Sequence, residues 1–180
     1  MVDIRVLSAN EVGAHLSGLA QILCECVTDG ASVHFLKNID QASAEKFWLG
    51  VLTRVQAGEV VVLAAFSEEV LVGTVSLVLN TPPNQKHRAE VSKFLVSPRF
   101  RRLGIGRSLM TALEELSLAR GRDLLVLDTS VGSAAETLYL NLGWQKVGEI
   151  PRYALTPDGI PAAATYFYKD LRANTSASII

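Results

Sequence analysis

The sequence predicts an α/β fold of the mixed α+β kind, in which helices cover both faces of one central sheet. Two observations lead to this prediction. The spacing of apolar residues changes between the helical and the strand period several times along the chain. The predicted elements follow the order strand, two helices, three antiparallel strands, helix, strand, helix, two strands, which is typical of a mixed sheet between helical layers.

The first third of the chain is predicted to hold a strand and two amphipathic helices. Apolar residues recur there at intervals of three and four, and Asp29-Gly30 supplies a stop signal. Asn10 is the predicted cap of the first helix. The predicted elements are a strand at 4–7, a helix from Asn10 to about Val27, a loop at 31–39 and a helix from about Asp40 to Gly58.

The remaining two thirds alternate between strands and helices. Residues 60–66 are apolar on both faces, which predicts a central strand, and Ser133 with Glu136 has the spacing of a capping box. The predicted strands lie at 60–66, 70–79, 89–96, 124–127, 144–150 and 163–171, and the helices at 104–119 and 133–142. We find no repeat and no linker, so we expect a single domain over 1–172 and a short frayed tail at 173–180.

Composition and charge exclude several classes of function. A net charge of −1 gives no overall basic field for nucleic acid or for an anionic membrane. The chain has neither a signal-peptide pattern nor an apolar run of ~18 residues, so we expect a cytoplasmic protein. Cys24 and Cys26 point to different faces of a helix and cannot pair, which predicts buried thiols. With three scattered histidines they offer no metal site, and no metal cofactor is expected.

The segment from Arg101 to Gly106 predicts an anion site. It lies between a strand and a helix, where the first helical amides lack partners and the helix dipole favours negative charge. Gly104 and Gly106 let a phosphate approach the backbone, and Arg101, Arg102 and Arg107 add charge. A helix start with solvated arginines is the alternative, but two first-turn glycines cost about 1 kcal/mol each relative to alanine. The third glycine of a dinucleotide fingerprint and the Gly-Lys-Ser/Thr of a Walker loop are both absent.

These residues resemble a known family. The segment Arg101 to Gly106 is similar to the Q/R-x-x-G-x-G/A element of the GCN5-related N-acetyltransferases, the GNAT superfamily. Residues 90–98 resemble the preceding strand of that family, and 133–144 resemble its later element with an alanine, a tyrosine and a Gly-aromatic pair. The resemblance covers about residues 3–171 and includes the element order. Within the superfamily, the segments at 19–23, 88–91 and 156–159 are similar to the tabtoxin-resistance group.

The resemblance implies a twisted, mostly antiparallel sheet that splays open after the strand ending near Val96, at an acetyl-CoA site. The pyrophosphate would be bound by the loop amides and arginines, and Ser133 would lie beside the pantetheine arm. Tyr139 would protonate the departing thiolate, although a core tyrosine packed under Trp144 is the alternative interpretation. The remaining residues implied to contact acetyl-CoA are Phe94, Leu95, Val96, Leu103 and Ile105.

The general base is open between several candidates. Glu90 lies among apolar neighbours, and partial burial would raise its pKa towards a useful range. Asp128, which ends the neighbouring buried strand, is the second candidate and would act as a base through a water. The third possibility is that the amine is unassisted or loses its proton through a chain of waters. The loop residues His34 and His87 are weaker candidates than these three. A backbone amide near Leu95 or Val96 is the expected donor to the thioester oxygen.

The predicted function is transfer of an acetyl group from acetyl-CoA, by direct attack, to the amine of a small molecule such as a toxin or an antibiotic. The acceptor pocket is expected to use the loop at 31–39, with Val33 and Phe35, together with Tyr153 and the turn at Asp158-Gly159. Phe35 belongs either to a lid or to the contact of a homodimer. Alternatives are an acetyltransferase for protein amines, a non-catalytic acetyl-CoA sensor and a nucleotide transferase, the last of which lacks suitably placed carboxylates.

Overall fold

The computed structural model describes residues 2–172, so the predicted tail at 173–180 lies outside the described residues. One seven-stranded sheet has the order β1-β2-β3-β4-β5-β7-β6. Only the β4–β5 pair is parallel, which confirms the predicted mixed, mostly antiparallel sheet. The strands are β1 (Val2–Leu7), β2 (Val60–Ser67), β3 (Val70–Val78), β4 (Arg88–Val96), β5 (Leu124–Ser130), β6 (Gln145–Leu155) and β7 (Pro161–Asp170).

Helices cover both faces of this sheet, as the sequence predicts. Within residues 2–172 the five α-helices are α1 (Ala9–Ala14), α2 (Leu16–Thr28), α3 (Gln41–Gln56), α4 (Ile105–Ala119) and α5 (Ala134–Asn141). Successive residues of β2 divide between two cores because strand side chains alternate between faces. Leu63 packs in the core under α4 and α5, and Ala64 packs in the core under α1, α2 and α3.

The first helical segment differs from the prediction. It consists of two helices separated at His15, and its cap is Ser8 rather than Asn10, which lies inside α1. The Ser8 hydroxyl accepts a hydrogen bond from the Glu11 amide, and Glu11 Oε2 accepts one from the Ser8 amide at 2.8 Å. This capping box satisfies two of the free amides at the start of the helix, an advantage that Asn10 does not have.

The last hairpin is longer than the sequence predicts. The predicted strand at 144–150 continues to Leu155, and its pairing with β7 shifts register between Ile150 and Ala154. Arg152 has a φ of 54° within this irregular stretch. Because β6 is an edge strand with mostly exposed residues, its apolar pattern is weak. The sequence-based prediction therefore underestimates the length of this strand.

Three further predictions concern cysteines, membranes and metal ions. Cys26 is buried and unpaired, whereas Cys24 is only half-buried, so the expectation of two buried thiols is correct for Cys26 alone. Among the described residues, no helix has the length and apolar character needed to cross a bilayer. Nor does any group of three His, Cys, Asp or Glu side chains within 2–172 form a potential metal site.

Candidate active site

A cleft opens in the middle of the sheet where β4 and β5 separate. These strands pair at only three positions, from Arg88–Leu124 to Glu90–Val126, whereas β5 remains paired with β7 as far as Ser130. The cleft between their diverging ends has a volume of about 700 Å³. It is lined by the end of β4, the loop before α4, the end of β5, the start of α5 and part of the loop after α2.

A bulge in β4 shapes one wall of the cleft. Thr74 is opposite Leu95 and Ser76 is opposite Ser92, so two residues of β4 face one residue of β3. Lys93, in the bulge, has a φ of 49°, a backbone conformation that non-glycine residues rarely adopt. Bulges bend a strand and increase its twist, which turns the end of β4 away from β5.

The end of β4 presents backbone groups to the cleft. The Ser97 amide donates to the Val72 carbonyl at 2.9 Å, so Ser97 and Leu95 direct their backbone groups towards β3. By the same alternation, Phe94 and Val96 direct theirs towards the open side. Of the two predicted donors to a thioester oxygen, Val96 therefore has the suitable orientation and Leu95 does not.

The loop before α4 exposes amides at the other end of the cleft. Gly104 caps the helix with a φ of 81°, and Arg102 also has a positive φ, of 62°. Ile105 is buried in the core and anchors the loop. The amide of Ser108 donates to Gly104, so the amides between these residues have no intrahelical acceptor and lie at the positive end of the helix dipole.

The arginines of this loop differ in their bonding. Arg101 forms an ion pair with Asp29, and its Nε donates to the Val96 carbonyl at 3.3 Å. Among the described residues, Arg102 and Arg107 form no ion pair, and both are exposed at the cleft. Leu103 is 66% exposed and does not line the cleft. Arg102 and Arg107 are therefore the two cations of the loop that are available to an anion.

Gly106 serves packing as well as access. A Cβ atom at this position would lie 3.0 Å from Phe94 Cζ and 3.2 Å from Leu138 Cδ2. Ser133 borders the same part of the cleft. Its hydroxyl accepts from the Glu136 amide at 3.2 Å and lies 3.1 Å from Thr129 Oγ1.

Tyr139 lies deep in the cleft. Its ring centroid is 6.0 Å from that of Phe94, 5.7 Å from Trp144 and 5.9 Å from Phe167. Burial raises the pKa of Tyr139 well above its ordinary value, and the charge of Asp128 raises it further. The phenol therefore keeps its proton at neutral pH and lines the cleft as a hydrogen-bond donor.

A buried polar network supports Tyr139 from below. Trp144 Nε1 donates to Glu114 Oε1 at 3.1 Å, and Lys169 Nζ donates to Glu114 Oε2 at 2.7 Å. Lys169 also donates to the Leu142 carbonyl at 2.6 Å. Nothing in the sequence predicts this network, because the side chains of Glu114, Trp144 and Lys169 are 25 to 55 positions apart and no local motif joins them.

The two candidate bases occupy different positions. Asp128 is half-buried and lines the cleft, and its charge acts on Tyr139 as described above. Glu90 is exposed and does not line the cleft, so the expectation that Glu90 is partly buried is wrong. Glu90 lies on β4 where its side chain turns outwards, since the neighbouring Ala89 and Val91 fill the core side of the strand.

The predicted acceptor residues are partly brought together. Val33 lines the cleft, whereas Phe35 packs edge-on against Phe47, with ring centroids 5.2 Å apart. Tyr153 lies outside the cleft lining and is hydrogen-bonded to Tyr166. Lys93 also lines the cleft, although no sequence motif around it predicts a role in the site.

The loop at 31–39 is fastened across the opening. The Lys37 amide donates to the Pro157 carbonyl at 2.8 Å, and Lys37 Nζ is 3.3 Å from Asp158. Ser32 Oγ is 3.4 Å from the Leu155 carbonyl. The loop after α2 therefore contacts the turn between β6 and β7, although Asp158 and Gly159 of that turn do not line the cleft.

Comparisons with known proteins agree with this geometry. Residues 19–144 match the family described as the acetyltransferase (GNAT) family. N-acetyltransferase 8B of Rattus norvegicus is 34% identical over 87 residues, which are 47% of this chain and 39% of that protein. The chain therefore spans about two fifths of the length of this curated relative.

Solved structures give a broader match. A ribosomal-protein-alanine N-acetyltransferase from Brucella melitensis superposes with a TM-score of 0.77 and 25% identity, over 94% of this chain and 99% of that one. The structure of yncA from Salmonella typhimurium with its cofactor acetyl-CoA has a TM-score of 0.76 and 19% identity, over 94% of each chain. Together with the family match over more than two thirds of the sequence, the splayed sheet and its glycine loop show that the chain belongs to the acetyltransferase (GNAT) family.

Proposed function

We propose that the protein is an acetyl-CoA-dependent N-acetyltransferase whose acceptor is a small molecule carrying an amine. One observation carries the proposal: a single cleft joins the anion-binding loop to Tyr139 and Asp128. The loop, with Arg102 and Arg107, suits a pyrophosphate, whereas Tyr139 and Asp128 suit proton transfer. The family membership supports the same activity.

The residues of the cleft fit acetyl-CoA in three places. The amides after Gly104, with Arg102 and Arg107, would bind the pyrophosphate. The backbone groups of Phe94 and Val96 would pair with the pantetheine arm as an added strand does, and Ser133 would border it. When bound, acetyl-CoA supplies an acetyl group activated as a thioester.

The remaining chemistry belongs to this chain. Tyr139 holds its proton because of its raised pKa and would donate it to the sulfur that departs. Asp128 would accept a proton from the acceptor, directly or through a water. The Val96 amide is oriented to donate to the thioester oxygen as negative charge develops there.

A second candidate acceptor is the amine of a protein. The Brucella melitensis relative is a ribosomal-protein-alanine N-acetyltransferase, and its structure matches nearly the whole of both chains. A role in resistance rests on the resemblance of short segments to the tabtoxin-resistance group. An acetyl-CoA sensor would use the same loop but would not need Tyr139.

Donor binding is tested with a matched pair at Gly104. Asparagine and aspartate have nearly the same shape and both can adopt positive φ, and a Cβ at Gly104 meets nothing within 4 Å. We expect Gly104→Asp to weaken acetyl-CoA binding at least about tenfold relative to Gly104→Asn, because only aspartate repels the phosphates. Equal affinities in calorimetry would remove the loop from the donor site.

Turnover is tested by CoA release with a panel of small amines and with peptides that begin with alanine. We expect Tyr139→Phe to lower kcat about 100-fold and Asp128→Asn to lower it by a similar factor. The matched control Glu90→Gln should retain activity within about threefold, since Glu90 lies outside the cleft. Binding of acetyl-CoA without release by any acceptor would favour the sensor, and release with peptides alone would favour the protein acceptor.

A further inference from the structure

Lys93 places an ammonium group on the acceptor side of the cleft. The side chain extends from the positive-φ bulge to the loop after α2, where Nζ contacts His34. Nζ lies 5.8 Å from the ring centroid of Phe35 and 5.3 Å from that of Phe47. Both rings lie within the range of a cation–π contact, so they stabilise the charge without using its hydrogen atoms.

The hydrogen bonds of Lys93 are incomplete. Nζ is 3.3 Å from His34 Nδ1, and an ammonium only donates, so His34 accepts there and carries its proton on Nε2. An ammonium has three N–H donors, and within residues 2–172 it forms no ion pair. Burial lowers the pKa of Lys93, and the carboxylates of Asp128 and Glu90 oppose that shift. A half-buried cation with unused donors is a binding group for an anion.

The charges around Lys93 fit a ligand with two opposite charges. Asp128 and Lys93 both line the cleft, whereas Glu90 is exposed and its charge is screened by solvent. The carboxylate and the ammonium are too far apart to form an ion pair with each other, yet the charge of Asp128 acts on Lys93. A molecule with an amine at Asp128 and an anion at Lys93 would therefore neutralise both groups.

We propose that Lys93 binds the carboxylate of the acceptor, so that the enzyme acetylates free amino acids or similar zwitterions in preference to simple amines or peptides. The inference rests on the proposed N-acetyltransferase function and adds the substrate class. His34 accepts from Lys93 and so positions the ammonium. Phe35 and Phe47 line its other side, which gives the loop at 31–39 a role in acceptor recognition.

The test compares each amino acid with its amide and with its decarboxylated amine, for example phenylalanine, phenylalaninamide and phenethylamine. We expect wild-type kcat/KM to be at least about tenfold higher for the acid, as expected for a charge-assisted bond. Lys93→Met should remove that preference by raising KM for the acids, with the amides changed less than about twofold. Lys93→Arg should restore part of the preference, and Lys46→Met, on the exposed face of α3, should change nothing.

Binding measured without turnover separates the two proposals. Each acid and amide is titrated by calorimetry into protein saturated with CoA. Tighter binding of acids to wild type than to Lys93→Met, without acetylation of any acid, amide or simple amine, would retain the Lys93 subsite and reject the proposed function. Acetylation of amides or alanine peptides as efficient as that of acids by the wild type would overturn the inference. So would an equal preference in wild type and Lys93→Met, and the wild-type comparison holds even if the variants fold poorly.

Discussion

The Arg101 guanidinium is paired with the Asp29 carboxylate, and this contact joins the end of α2 to the loop before α4. Arg101 also donates to the Val96 carbonyl, so its side chain bonds to α2 and to β4 at once. Both partners are nearly half exposed, at 41% and 47%, so the pair itself contributes less than about 1 kcal/mol to stability. Its main effect is to fix the position of the Arg101 charge.

The pairing of Arg101 leads to a prediction about donor affinity. We expect Arg102→Glu to weaken acetyl-CoA binding more than about tenfold, because Arg102 is unpaired in the described residues and faces the cleft. Arg101→Gln should weaken it less than about threefold, since Asp29 already neutralises that charge. Calorimetry with acetyl-CoA measures both, and equal losses would show that Arg101 leaves Asp29 to bind the phosphates.

Gly106 is predicted to be intolerant of a methyl group. Gly106→Ala would push Phe94, whose ring contacts Tyr139, so we expect kcat to fall at least about tenfold. Gly50→Ala is the matched control, because Gly50 lies within α3 and its Cβ would meet nothing within 4 Å. That control should raise the free energy of unfolding by about 0.5–1 kcal/mol. Urea unfolding and CoA release measure the two effects, and wild-type kcat in Gly106→Ala would contradict the packing argument.

Tyr139 should make stability depend on alkaline pH. Its pKa is raised in the folded protein, so the phenol stabilises the fold below the unfolded pKa of about 10. That stabilisation is lost as the pH rises towards the folded pKa. Between about pH 8 and about pH 11, wild type should therefore lose more free energy of unfolding than Tyr139→Phe. Parallel curves for the two proteins would mean that the phenol is not shielded from water.

Removing one partner of the Glu114–Lys169 pair should lower the free energy of unfolding substantially. Side-chain exposures of 17% and 8% place both groups in the interior, and Glu114→Ala would leave the Lys169 ammonium without its carboxylate. We expect Glu114→Ala to lower the free energy of unfolding by about 3 kcal/mol. Replacing both by methionine should cost less than the sum of the single changes Glu114→Met and Lys169→Met, as measured in a double-mutant cycle. Additive losses would indicate that the two residues act independently.

The elements that the sequence predicts well are those with local signals. The apolar period of residues 60–66 and the glycine spacing around Gly104 both act over a few residues, and the structure has a central strand and a helix start there. The helix start predicted near Asp40 is likewise a local feature, and in the structure the Asp40 side chain caps α3 by accepting from the Ser43 amide.

The parts that the sequence does not predict depend on distant contacts. Arg101 and Asp29 are 72 positions apart, and only the folded chain shows that they meet. The bulge at Lys93 leaves no glycine or proline signal, since a lysine adopts the positive φ. Glu90 and Asp128 look equivalent in the sequence, but the sheet turns one outwards and the other into the cleft.

The short contact between β4 and β5 also has a consequence for solubility. Strand edges with unpaired backbone groups normally lie at the rim of a sheet, where the strands of another molecule can add to them and start aggregation. Here one such edge lies inside the protein, between two halves of the same sheet, with the loop at 31–39 fastened across the opening. A narrow, flexible ligand can reach this interior edge, but the sheet of a second protein cannot.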